Sequence, residues 1–114
     1  MGGVLDSDLY KALRFRQKLN DFVNANEAYY FMFGYSTAQS KNGIPKELYE
    51  EWIFSFMKFI EKRLKDYFYP EKDGIRSVHF GEIINEHIYD SRKGVDLFYK
   101  ILDEFVEELE KSIK

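Results

Sequence analysis

The residues with the most chemical potential sit together in His79-Phe80-Gly81-Glu82-Ile83-Ile84-Asn85-Glu86-His87, which holds both histidines of the chain. Read as a helix at about 100° per residue, this stretch places His79, Glu82, Glu86 and Asp90 in one narrow stripe. Imidazole and carboxylate donors on one face are the raw material of a metal site. The spacing departs from the established helical solutions, since neither His-Glu-x-x-His nor Glu-x-x-His occurs. His87 falls among Phe80, Ile83 and Ile84, the position of a core or boundary histidine. No metal and no cofactor are expected.

Other chemistries find less support. The chain has no cysteine, so disulfides, thiolate nucleophiles and cysteine metal sites are all excluded. A serine nucleophile needs a histidine within hydrogen-bonding reach, and no serine is marked out beside the two available. There is no glycine-rich phosphate loop. With twenty acidic residues, paired carboxylates can be found anywhere and discriminate nothing. The expectation is a protein that is not an enzyme.

Charge is more informative by location than by sum. Twenty acidic and seventeen basic side chains give a net charge of -3, against direct binding of nucleic acid, which needs a Lys/Arg excess. Residues 1–73 are balanced, so the whole surplus falls in residues 74–114. Asp103, Glu104, Glu107, Glu108 and Glu110 lie in a run without a base. On a helix, Asp96, Asp103, Glu107 and Glu110 project from one side, flanked by Lys100 and Lys111. With Glu82, Glu86 and Asp90 on the preceding helix, these seven carboxylates form a candidate docking surface for a basic partner. Such a surface speeds association and selects partners. The plainer alternative is a solvated helix face.

The elements that must carry these residues are helical almost throughout. Leu9, Leu13, Leu19, Phe22 and Val23 recur at helical spacing behind a cap at Asp6 or Ser7. After a break at Asn24-Ala25-Asn26, a second helix is nearly apolar all round, with Ala28, Tyr29, Phe31, Met32, Tyr35 and Ala38 as its core. That pattern predicts a central helix covered by the others, and Gly34 within it predicts a close helix crossing. Asn42-Gly43 ends it.

A third helix is expected from Pro45 to about Lys65, burying Leu48, Trp52, Phe56, Phe59, Ile60 and Leu64. Its acids lie first and its bases last, as the helix dipole favours; pairs with Glu61 and Asp66 account for the late bases. Tyr67-Phe68-Tyr69-Pro70 and Glu71 to Gly74 read as a loop. Ser77 caps a fourth helix to about Tyr89, and Ser91 caps a fifth with the stripe Val95, Phe98, Ile101, Leu102, Phe105, Val106 and Leu109. The expected architecture is an all-α, single-domain bundle of four to five helices spanning residues 1–114.

No segment is long and apolar enough to suggest a membrane span, the richest being Ala28 to Tyr35. Asp6 stands where a myristoylation signal needs Ser or Thr, and the start lacks a secretory pattern. A cytoplasmic location is expected.

Gly34-Tyr35-x-x-Ala38, Trp52 in an aromatic third helix, Ile83-Ile84, and above all Leu97-Phe98-Tyr99-Lys100-Ile101-Leu102-Asp103-Glu104-Phe105 resemble the small helical immunity proteins of bacterial polymorphic and contact-dependent toxin systems. The resemblance spans roughly residues 30–106, with Phe80 where a tryptophan would precede the paired isoleucines. It implies a non-enzymatic inhibitor that binds one cognate toxin domain in the cytosol of the producing cell. It carries over no functional residue. A structural or assembly module, including a homodimer, is the alternative expectation.

Overall fold

The computed structural model describes residues 7–43, 51–68 and 79–112. They form an all-α bundle of α1 (Asp8–Leu19), α2 (Ala25–Lys41), α3 (Glu51–Phe68), α4 (Phe80–His87) and α5 (Ser91–Ser112). Among the described residues there is no strand. Pro45, Leu48, Tyr69-Pro70, the Glu71 to Gly74 turn and Ser77 lie outside them.

Side-chain caps set the helix starts. Ser7 accepts the Tyr10 N–H through Oγ, and Asn24 accepts the Glu27 N–H through Oδ1. Glu27 reciprocates on the Val23 N–H at 2.6 Å, so two otherwise orphaned donors are satisfied together. Asp90, rather than Ser91, caps α5, because its carboxylate reaches the N–H groups of Arg92 and Lys93 at 2.9 and 3.3 Å. Ser91 is the first helical residue. His79 caps α4, its Nδ1 accepting the Glu82 N–H at 3.3 Å, and α4 ends at His87, short of Tyr89. α3 continues through Tyr67 and Phe68, which the sequence reading assigns to a loop.

The core is built around Phe56. Its ring meets Phe105 at 5.3 Å, Phe98 at 5.8 Å and Phe80 at 6.3 Å, uniting α3, α4 and α5. Leu9, Leu13, Ala28, Met32, Ile60, Leu64, Ile84, Ile101 and Leu102 complete it. Each fully buried large side chain contributes about 1.5–3 kcal/mol relative to exposure. The apolar stripes expected on α3 and α5 are the ones that face inward. α2 packs chiefly on α4 and also meets α5.

Three packing expectations are corrected. Leu19 and Val23 are 56% and 67% exposed. Asn20 adopts the left-handed conformation (φ 52°), which asparagine tolerates, and turns the chain away before the stripe can continue. α2 is not covered all round: Ala28 and Met32 are buried, Tyr29, Phe31 and Tyr35 half-buried, and Ala38 exposed with Tyr30 and Phe33.

The close helix crossing is at Gly81 instead of Gly34. A Cβ on Gly81 would lie 2.6 Å from Asn26 Oδ1, 2.8 Å from Asn26 Cα and 3.0 Å from the Ala25 oxygen, whereas one on Gly34 would meet no other element within 4 Å among the described residues. Only glycine lets α4 seat on the start of α2.

Candidate partner-binding surface

The seven carboxylates singled out by the sequence fall into different environments. Asp90 is committed to the α5 cap. Glu82 is exposed in the first turn of α4, its Oε1 3.8 Å from His79 Nε2. Glu86 is exposed on the same helix. On α5, Asp103 is bound by Arg14 of α1, and Glu107 pairs along its own helix with Lys111 at 3.4 Å. Asp96 and Glu110 are exposed and make no ion pair among the described residues.

Two further acids of the same run, Glu104 and Glu108, are drawn the other way. Arg63 on α3 sits 3.3 Å from Glu104 Oε1 and donates to Glu108 Oε2 at 2.8 Å. Periodicity within α3 points Arg63 towards acids of its own helix, and the bundle gives it partners on α5. Thus α1 and α3 grip α5 from two flanks through Arg14 and Arg63, leaving an outward ridge of Asp96, Glu107 and Glu110. Arg14 also lies over the Tyr10 and Tyr99 rings at 5.1 and 5.7 Å, so it is held by packing as well as charge. Its guanidinium is held above its ordinary range: burial acts against this, and the bonds to Tyr10 and Asp103 outweigh it.

Both histidines have structural work. His87 is exposed rather than core, lies stacked on Phe68 at 4.4 Å, and places Nδ1 3.0 Å from the Ile83 carbonyl oxygen. His79 is stacked on Tyr29, with one nitrogen used by the α4 cap. Burial lowers its pKa, and the Glu82 carboxylate opposes the shift. Among the described residues, no three histidines or acids are grouped so as to hold a metal ion.

A second surface escapes pattern reading. Between α2 and α3 runs a half-open groove of about 370 Å³, with Phe33, Ile53, Phe54 and Met57 as its apolar walls and Ser36, Thr37 and Lys41 among its polar residues. Phe33 and Phe54 are 54% and 51% exposed, and Tyr30 nearby on α2 is 58% exposed. The sequence carries one signal of it. Residues 28–40 contain no charge, in a chain of which 32% is charged.

No helix among the described residues is long and apolar enough to cross a membrane. No family model, curated protein or solved structure matches the chain.

Proposed function

We propose that this is a non-catalytic binding protein, an immunity protein that neutralises a cognate toxin domain in the cytoplasm by direct contact. The supporting observation is the outward ridge of α5. Asp96, Glu107 and Glu110 face solvent while the nearby arginines of other helices, Arg14 and Arg63, are already engaged with Asp103, Glu104 and Glu108. The surplus negative charge therefore stays available for a basic partner, with Glu82 and Glu86 extending it on α4. A toxin that grips nucleic acid through a basic cleft has the complementary surface.

The test begins with affinity capture of partners from the native cell at low and high salt, followed by kinetics with the purified partner. Substituting Asp96→Asn, Glu107→Gln and Glu110→Gln together is expected to slow association at least tenfold at low salt with little change in melting temperature. Co-expression of the native protein should protect cells from the captured domain, and the triple variant should protect less. Absence of a salt-sensitive protein partner rejects the reading. One observation favours the alternative, a structural or assembly module: the exposed, uncharged face of α2.

A further inference from the structure

From that face we propose that α2 is a self-association surface, on which a second copy of this chain docks its own α2 antiparallel across Gly34. The inference rests on the assembly reading alone and stands or falls separately from toxin binding.

A surface helix in a charged protein normally shows charges outward. The outward residues of α2 are Glu27, Tyr30, Phe33, Gly34, Thr37, Ala38, Ser40 and Lys41, all exposed and, between the two ends, all uncharged. Within them Tyr30, Gly34, Thr37 and Lys41 follow a four-three-four spacing, the repeat of a helix–helix seam. Charge depletion with exposed aromatics is the composition of an interface centre.

Nothing among the described residues accounts for Gly34. Glycine is the poorest helix former after proline, and no other element among the described residues lies within 4 Å of where its Cβ would be. Its use here is outside the molecule, where a missing side chain lets another helix backbone approach closely.

Charge selects both the partner and its direction. Glu27 and Lys41, the two charges of α2, each lie seven positions from Gly34, on opposite sides of it. Seven positions are nearly two turns, so both share the Gly34 face. In an antiparallel pair crossing at Gly34, Glu27 of each copy meets Lys41 of the other, twice over. A parallel pair would set like against like. The same register brings Tyr30 of one copy level with Ala38 of the other, beside the groove that Phe33 and Phe54 line.

Tyr30, Phe33 and Phe54, each about half exposed, offer on the order of 300 Å² of aromatic surface per copy. A standard interface covers about 800 Å² per partner, so the dimer should be weak, with a Kd on the order of 10–100 µM.

Sedimentation velocity of the full chain from about 5 to about 500 µM brackets that range. The native protein should pass from monomer to dimer, and Gly34→Gln should raise Kd at least tenfold while its melting temperature is unchanged or higher. Glu27→Lys and Lys41→Glu should each weaken self-association, and an equimolar mixture of the two should recover it as a heterodimer. A native chain that stays monomeric throughout overturns the proposal. So does a dimer indifferent to Gly34→Gln, or a mixture of the charge variants that recovers nothing.

Discussion

The imidazole of His79 lies flat on the phenol of Tyr29, with ring centroids 3.8 Å apart and planes within 4°. The contact joins the cap of α4 to the first turns of α2, and the tautomer matters. Nδ1 accepts the Glu82 N–H, so the neutral ring carries its proton on Nε2, which is buried and without a hydrogen-bond partner among the described residues. Glu82 Oε1, at 3.8 Å, is beyond hydrogen-bonding reach.

Protonating His79 puts a hydrogen on Nδ1 and ends the cap. Its folded pKa lies below the ordinary value of 6.5 because burial penalises the charged ring. The unfolded chain therefore takes up the proton first as pH falls. The His79 contribution is complete above about pH 6.5 and declines as pH drops through that value towards the folded pKa. Thermal melts at about pH 7.5 and about pH 5.5 should differ more for the native chain than for His79→Asn, whose amide oxygen can cap without titrating. Equal pH dependence in the two would reject this role.

The two helical glycines should respond in opposite ways to alanine. Gly81→Ala drives a methyl into the backbone of Asn26 and Ala25 and should cost about 1–3 kcal/mol in urea unfolding. Gly34→Ala meets no other helix among the described residues and should raise stability by up to about 1 kcal/mol through helix propensity.

Tyr99 is 3% exposed, and its hydroxyl donates to the Leu13 carbonyl oxygen at 2.7 Å, tying α5 to α1. Tyr99→Phe should lower stability by about 1 kcal/mol. Burial pushes the phenol far above its ordinary range, with Arg14 and Arg16 opposing it. Tyr99 should therefore show no spectrophotometric ionisation until the chain unfolds in alkali.

Arg63→Gln releases Glu104 and Glu108 from α3. The pair is partly solvated, so the stability loss should stay within about 1 kcal/mol and shrink with added salt. The same change adds negative charge beside the α5 ridge and should speed capture of a basic partner at low salt. Stopped-flow association rates measure the effect, and an unchanged rate would place the docking surface elsewhere.

Much of the bundle is legible from spacing alone. The stripes of Trp52 to Leu64 and of Val95 to Leu109 repeat at helical period, and burying such a stripe is the only way for a helix to remove it from water. The first cap was visible as a choice between Asp6 and Ser7, and the start of α2 as a break at Asn24 to Asn26, since a short oxygen-bearing side chain before an apolar repeat satisfies donors within its own turn. Asp90 caps α5 in place of Ser91, and His79 caps α4, because several nearby side chains can serve as a cap and local geometry selects one. The apolar richness of α2 misleads by the same logic. Composition reports how much apolar surface exists and cannot report whether neighbours cover it.

By itself, then, the sequence determined an all-α bundle, a surplus of negative charge on its last third, and an uncharged second helix. These follow from period and composition, which are properties of the chain read locally. Only tertiary structure decided that Gly81 is the tight crossing, that Arg14 and Arg63 engage Asp103, Glu104 and Glu108, and that Asp96 and Glu110 make no ion pair among the described residues. Each of those depends on which residues distant in sequence are brought within a few ångströms, and ion pairing and steric contact act only at that range.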